Sequence, residues 1–550
     1  MSTNSLLINF AGYPVSPRNF VPDNGLAALA GSLISAGHRT MIMDYSTVDV
    51  VKKIFPYEYH SEIKELVNRI NADIKKHGAM STDDLRDFRS LDVDINKFQK
   101  SRILDIAEDL NKMVRAEKID FVGFKLFLGD AFEGSIIIAE YLKQHNPSLK
   151  IFAGGPHVDL FMERIFSITG CFDALAYGEG EEIIVSLAEY AEGRARLHEI
   201  PNLMYKEGGA IIKTAQKRVA DLNALPDPIY DTDVYPAMAG NNKIKIILID
   251  ESRGCPNSCS FCCHPVKSGN KWRKKDPVRI VDFMEKMSVK HGIKAFRFSG
   301  SNPPPDLKRS IAEEIIKRGL NIKYTSFAYA KNVKNEDFSL LKRSGCYSIF
   351  FGIESGSREI LAKSMNKRID INEVRNAVKK SKEAGLKVVG SVIMPAPFET
   401  EETRKETYDL LMDLQLDGND VCFPSPTPCT KWGEESGKYN FDLGEKEEFW
   451  NKAIKYSLKT FYPQVLWDSF PQYKLNGKNF PEITAETTAF VRALEGKGLL
   501  TQVTDEVLLM AEYSGLGFRD FRNRWNESLY CGEHSEIQQL TGLINNSILS

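Results

Sequence analysis

Three cysteines, Cys255, Cys259 and Cys262, stand in the order C-x3-C-x2-C within eight residues. Thiolates are soft ligands, and three on one tight loop can bind one metal centre. They would leave one iron of a four-iron cluster without a protein ligand, and an open position is what catalytic metal sites keep. Two other readings are weaker. A zinc site draws on a second Cys pair or a His at finger-like spacing, and the adjacent Cys263 and His264 do not make that pattern. Three inert buried thiols this close together are uncommon.

The elements around the cysteines say how they are held. Ile244 to Ile249 is an apolar run broken only by Lys245, which reads as a buried strand. Gly254, Pro256 and Asn257 cannot continue it, so the cysteines sit on the loop leaving its C-terminal end. Further strands are expected at Ala295–Ser299, Ile322–Ala328, Ser348–Ile353, Lys387–Met394 and Asp420–Phe423. Helices are expected roughly at Val278–His291, Asp306–Arg318, Asn335–Ser344, Asn372–Ala384 and Thr400–Leu416. That makes six βα units, a partial barrel, whose functional groups lie on loops at strand C-termini. These loops carry Ser299, Gly300, the string Gly352-Ile353-Glu354-Ser355-Gly356-Ser357, Ser391 and Met394. Taken as residue types alone, Glu354 to Gly356 form a turn and helix cap.

An earlier α/β unit precedes the barrel. Ser5–Phe10 reads as a strand, Gly25–Gly37 as a helix, and Thr40–Asp44 as a strand ending in a carboxylate. Residues 50–118 are richly charged and read as a helical insertion. Strands follow at Phe121–Phe127, Leu149–Ala153 and Phe172–Tyr177, with a helix at Phe132–His145. Two of them run into glycine turns, Gly154-Gly155-Pro156-His157 and Gly178-Glu179-Gly180-Glu181. Such turns allow close backbone approach at the crevice where open α/β sheets bind ligands. No complete G-x-G-x-x-G follows the first strand, which argues against a dinucleotide. Pro201–Ala215 reads as a hairpin and Leu222–Pro236 as an extended, proline-containing linker. From Lys431 onward the pattern is helical and aromatic, with Phe449, Trp450, Tyr456, Phe461, Tyr462, Trp467 and Phe470, then helices at Glu486–Gly496, Asp505–Tyr513 and Phe518–Trp525. This region is expected to close the open side of the barrel.

With 550 residues and a net charge of −2, the chain offers no polyanion-binding or membrane-surface signature. It has no long apolar run and no N-terminal signal pattern, so a cytoplasmic protein is expected. Nine cysteines, three of them bunched, do not make a disulfide scaffold.

The cysteine spacing, with Phe261 just before the third cysteine, resembles the radical S-adenosylmethionine (SAM) superfamily. The resemblance implies a [4Fe-4S] cluster on Cys255, Cys259 and Cys262 whose open iron chelates SAM. The Gly352–Ser357 string matches that family, which implies that Glu354 and Ser355 approach SAM, that Gly356 permits contact, and that Met394 lies against the adenine. Phe261, Ser299, Gly300 and Ser391 join this expected SAM site. Two departures stand out: the loop after the second barrel strand lacks the family's acidic residues, and Met394–Thr400 has lost the glycines of its G-x-P-G-E-T turn. The Gly25–His38 segment and the two glycine turns together look like the cobalamin-binding domain that precedes many radical SAM modules. This implies cobalamin contacts at Gly154, Gly155, Pro156, His157, Tyr177, Gly178, Glu179 and Gly180. Direct cobalt ligation by His157 or Glu179 is not expected. The Ala11–Gly25 loop contains no His, so any bound cobalamin lacks a histidine lower ligand from it.

The implied fold class is α/β: a Rossmann-like cobalamin-binding domain at 1–215, a linker at 216–243, a partial (β/α)6 radical SAM barrel at 244–430 and a mainly helical domain at 431–550. The implied activity is a cobalamin-dependent radical SAM methyltransferase acting on an unactivated carbon, or a phosphinate phosphorus, of a small-molecule or peptide substrate, with an electron donor such as flavodoxin or ferredoxin. The alternative is a non-methylating radical SAM enzyme, and a non-catalytic cofactor carrier is a third reading. A methylthiotransferase is disfavoured, because the first 170 residues hold no cysteine for a second cluster.

Overall fold

A computed structural model describes residues 2–77, 80–456, 459, 462 and 471–550. The expected aromatics Phe461, Trp467 and Phe470 lie outside the described residues. The first sheet consists of β1 (Asn4–Asn9), β2 (Arg39–Asp44), β3 (Phe121–Lys125), β4 (Lys150–Gly154), β5 (Ala174–Ala176), β6 (Leu203–Glu207) and β7 (Ala210–Lys213), in the order 2-1-3-4-5-6-7. The pairs from β2 through β5 are parallel. β1 is buried almost throughout, as a strand covered by helices on both faces must be. The hairpin expected at 201–215 extends the sheet, with β6 antiparallel to β5 and β7 antiparallel to β6.

The charged insertion folds as helices Val48–Ile54, His60–His77 and Thr82–Ala116. The last has Ser81 as its cap, accepting from Asp84 N. Phe88, Leu91, Ile95, Ile103, Ile106 and Leu110 recur along its buried face, the spacing of a one-sided helix.

The second sheet has β8 (Ile246–Ile249), β11 (Ala295–Phe298), β12 (Lys323–Ala328), β13 (Cys346–Glu354), β14 (Lys387–Ile393) and β15 (Gly418–Cys422). All are parallel and adjacent in chain order. β9 (Ser252–Arg253) and β10 (Arg273–Lys274) pair antiparallel and close the base of the cysteine loop. Helix boundaries shift where the expected Asn335–Ser344 helix becomes Phe338–Arg343, because Ala330–Asn335 winds as a tighter 3-10 turn.

The C-terminal region does more than cover the barrel. Asn419 N donates to Leu500 O at 2.8 Å, so the chain runs beside β15 before helix Asp505–Ser514 packs across β12 and β13. Helices Phe518–Cys531 and His534–Leu549 then reach the first domain: Phe20 and Trp525 rings lie 5.6 Å apart, and Tyr13 OH donates to Leu529 O at 2.6 Å. Among the described residues, no helix is long and apolar enough to cross a membrane.

The carboxylate at the end of β2 is not open to a ligand. Lys243 Nζ lies 2.7 Å from Asp44 Oδ2, Asn9 Nδ2 donates to Oδ1 at 2.8 Å, and Tyr235 OH donates to Oδ2 at 2.5 Å. Burial alone raises the Asp44 pKa, but Lys243 and the hydrogen bonds hold it below the usual range. Linker and first sheet are therefore locked through one buried pair. Removing one partner of such a pair strands a charge. Lys243→Met is expected to destabilise the protein by about 3–5 kcal/mol, read as a lowered urea midpoint, and adding Asp44→Asn is expected to recover most of the loss.

Candidate active site

The C-terminal edges of both sheets open on one cavity of about 790 Å3, within the range of small-molecule and cofactor sites. Its inner part is apolar, lined by Leu7, Leu29, Phe152, Ile184 and Leu187, between the first sheet and helices Asn24–Ser35 and Glu181–Ala191. Its mouth is charged. From the first domain come Asp23 and Lys125, which pair with each other, and Arg18, which pairs with Glu506. From the barrel comes Arg297, whose Nε lies 3.0 Å from both Asp505 Oδ2 and Glu506 Oε1. Thr325 Oγ1 donates to Asp505 Oδ2 at 2.7 Å, so the start of the C-terminal helix is fixed inside the barrel.

The glycine turns meet the cysteine loop through charges. Arg273 donates to Glu179 from Nη1 at 2.8 Å and from Nη2 at 2.5 Å, and Val219 N donates to Glu179 Oε2 at 2.7 Å. Arg253 bonds Glu181 and also donates to Asp250 Oδ2 at 2.7 Å. Glu179, expected at a cofactor, is thus committed to holding the two modules together. Burial opposes its charge, while Arg273 and Arg253 keep its pKa lowered.

Cys255 is buried and Cys259 and Cys262 are half-buried, and their charges are close enough to couple. Burial, with the neighbouring thiols, pushes the Cys262 thiol up to about 12. Gly254 has φ +88°, and a Cβ there would meet Lys271 O at 2.1 Å, so the loop requires glycine at that point. The loop is braced from the C-terminal region: Trp432 N donates to Ser260 O at 3.2 Å, Tyr439 OH to Ser260 Oγ at 3.1 Å, and Phe261 packs 5.6 Å from the Trp432 ring. Asn257 Nδ2 and Asn302 Nδ2 point at Cys255 Sγ from 3.6 and 3.9 Å. Among the described residues no three His, Cys, Asp or Glu side chains are gathered to hold a single ion. Three coupled thiols on one braced loop fit an iron–sulfur cluster by their chemistry. The apolar inner part and polar mouth of the cavity fit a cofactor with an aromatic tail and a polar ring system, as cobalamin has.

The other expected residues divide. Gly154, Gly155, Pro156, Tyr177, Gly178, Glu179, Gly180 and Ser299 line the cavity. His157 does not: its ring is wholly buried between Phe132 and Phe161, at 4.3 and 4.7 Å, and burial pulls its pKa down to about 4. Met394 is also wholly buried, its N–H bonded to Cys422 O and its carbonyl accepting from Thr487 Oγ1, each at 2.9 Å. Ser355 Oγ lies 3.2 Å from Thr407 Oγ1, and Gly356 N donates to that oxygen at 3.0 Å. A Cβ on Gly356 would meet Glu406 O at 2.5 Å, so this glycine serves close packing on helix Glu401–Leu414. Glu354, with φ +68°, has its carboxylate 2.8 Å from Lys367 Nζ and takes a 3.3 Å hydrogen bond from Ser391 Oγ.

Sequence reasoning missed Arg297, Lys125 and Glu251. The first two are lone cations inside apolar strands, a signal that could have marked them. Glu251 is wholly buried and accepts from Ser299 N and Gly300 N at 3.1 Å. A Cβ on Gly300 would lie 2.3 Å from Glu251 Oε1. The acid expected on the second loop is absent there, and one from the first loop is bonded to that loop's backbone instead.

Comparison with known proteins agrees with this layout. The B12 binding domain family matches residues 14–188 and the radical SAM superfamily matches residues 251–411. An uncharacterized methyltransferase of Pyrococcus horikoshii is 28% identical over 60% of this chain and 74% of its own. An anaerobic magnesium-protoporphyrin IX monomethyl ester cyclase of Cereibacter sphaeroides is 28% identical over 52% of this chain, and the chain spans only 50% of that relative. The radical S-adenosylmethionine methyltransferase TsrM from Kitasatospora setae, solved with cobalamin and a [4Fe-4S] cluster, has the same fold, with a TM-score of 0.63, 15% identity, and coverage of 98% of this chain and 100% of that one.

Burial pushes the Glu251 carboxyl from 4.5 up to about 8. Between those values the folded state binds more protons than the unfolded one, so this group makes stability fall as pH rises. Glu251→Gln is expected to flatten that fall between about pH 4.5 and 8, read as unfolding midpoints across that range. An unchanged slope would contradict the assignment.

Proposed function

Because the chain belongs to the radical SAM superfamily and carries a B12 binding domain ahead of that module, we propose that it is a cobalamin-dependent radical SAM methyltransferase. It moves a methyl group to an unactivated carbon, or a phosphinate phosphorus, of a small-molecule or peptide substrate. The observation that carries this reading is the shared cavity: both sheets turn their carboxyl ends to one space of about 790 Å3.

When bound, the reduced cluster supplies a radical from SAM and cobalamin supplies the methyl group, chemistry that belongs to the cofactors. The chain's own residues position and enclose. Cys255, Cys259 and Cys262 hold the cluster at the barrel mouth. Glu354, oriented by Lys367 and Ser391, would offer a carboxylate to the polar end of SAM. The glycine turns, which line the cavity, would hold cobalamin. Arg297, pinned by Asp505 and Glu506, gives the cavity a fixed cationic wall. Helix Asp505–Ser514 packs across β12 and β13 and would help to enclose the reacting groups. An oxygen-sensitive cluster and nine free cysteines suit a reducing cytoplasm, and an external one-electron donor is required.

The relative named a cyclase supports a second reading, non-methylating radical chemistry on the same scaffold. Protein reconstituted with iron, sulfide and hydroxocobalamin is expected to keep cobalamin and about four irons. The Cys255/Cys259/Cys262 triple Ala variant is expected to lose the iron and keep the cobalamin. In turnover with candidate substrates, 5'-deoxyadenosine and S-adenosylhomocysteine forming together with a methylated product supports methyl transfer. Deoxyadenosine alone, with altered unmethylated product, supports the second reading, and retention of neither cofactor contradicts both.

A further inference from the structure

From Ser252 to Lys275 the chain holds six Lys and Arg and no acid, in a protein whose net charge is −2. Arg253, Lys267, Arg273 and Lys275 are ion-paired to Glu181, Asp159, Glu179 and Asp250, which leaves the outer side of the loop to Lys271 and Lys274. Lys271 and Lys274 are exposed, and beside them stand Val266, 51% exposed, and Trp272, 37% exposed. Arg218 adjoins this face through its 2.9 Å hydrogen bond to Val266 O. Neither Lys271 nor Arg218 has an ion-pair partner among the described residues, and the Lys274 partner, Asp306, is itself largely exposed. Two large apolar side chains beside Lys271 and Arg218, which have no ion-pair partner among the described residues, and Lys274, paired only to an exposed acid, make a surface that suits an acidic partner with an apolar contact point.

The same surface connects to the cluster ligands. Trp272 Nε1 donates to Asn302 O at 2.8 Å, and the Asn302 amide nitrogen points at Cys255 Sγ from 3.9 Å. Cys255 N donates to Gly269 O at 3.0 Å. One exposed indole is therefore linked to a cluster thiol through a single intervening residue.

We propose that the face formed by Val266, Lys271, Trp272, Lys274 and Arg218 is the docking surface for an acidic, flavodoxin-type one-electron carrier, with Trp272 and Asn302 as the route to the cluster. This rests on the cluster assignment above. In the step, one electron leaves the flavin hydroquinone, which becomes the semiquinone, and enters the oxidised cluster, and no covalent bond forms or breaks between the proteins. A flavin presents its apolar ring edge at the protein surface, which matches Val266 and Trp272 better than the backbone-covered cluster of a ferredoxin does.

The test uses the reconstituted holoenzyme and a purified flavodoxin hydroquinone, with binding and cluster reduction measured separately. Lys271→Glu with Lys274→Glu is expected to weaken flavodoxin binding about tenfold at low ionic strength, as added salt does for the parent protein. Reversing Lys97 and Lys112 on the remote insertion helix is expected to leave binding unchanged. Trp272→Phe is expected to keep the affinity and slow cluster reduction by flavodoxin. Titanium(III) citrate is expected to reduce the cluster and drive SAM cleavage equally in all variants, which verifies folding and separates a failed docking proposal from a failed functional reading. Equal flavodoxin affinity in the charge-reversed protein, or tighter binding of a ferredoxin on this face, would overturn the proposal.

Discussion

Two carboxylates on one turn and two arginines flanking one loop set the geometry of this protein. Glu179 and Glu181 leave the first sheet at the start of helix Glu181–Ala191, while Arg253 and Arg273 stand on β9 and β10, at the two ends of the cysteine loop. Removing such charges from water is costly, and bidentate geometry with added backbone donors is what offsets the cost. The gain is positional. The arginines that gather the base of the cluster loop are the ones that grip the turn beneath the expected cobalamin, so the distance between the two cofactors is fixed by a few short ion pairs rather than by a flexible linker.

The third region completes that constraint. Asp505 and Glu506 enter the barrel at the N-terminus of a helix, where the helix dipole favours carboxylates, and there they bind Arg297 of β11 and Arg18 of the first domain. Trp432 supports the cysteine loop from behind and donates from Nε1 to Ser364 O at 2.9 Å. The cavity thus has walls from all three regions, and none of them builds it alone.

Much of this was legible in the chain. The βα alternation, the glycine turns and the cysteine spacing each carry local signals: short continuous apolar runs between helical segments, turn-forming glycines, and clustered thiols. The residues whose surroundings were not legible are those whose packing depends on long-range contacts. His157 follows a glycine turn and looks available, yet Phe132 and Phe161 enclose it. Ser355 and Gly356 sit in a ligand-like string, yet helix Glu401–Leu414 lies against them. Glu179 lines the cavity and is also an inter-domain anchor, a second role hidden in the sequence because its partner lies 94 positions away in the chain. The C-terminal helices showed their periodicity but not their partners, since aromatic packing such as Phe20 on Trp525 leaves no trace in local sequence.

The central claim is that the cysteine loop and the glycine turns, joined by ion pairs, would hold cluster and cobalamin at a fixed separation. It is tested most directly by electron paramagnetic resonance of the doubly reduced holoprotein, in which cob(II)alamin and the one-electron-reduced cluster are both paramagnetic. The account predicts mutual dipolar splitting of the two signals, with a single narrow distance distribution. Two unsplit, independent spectra from protein fully loaded with both cofactors would contradict it.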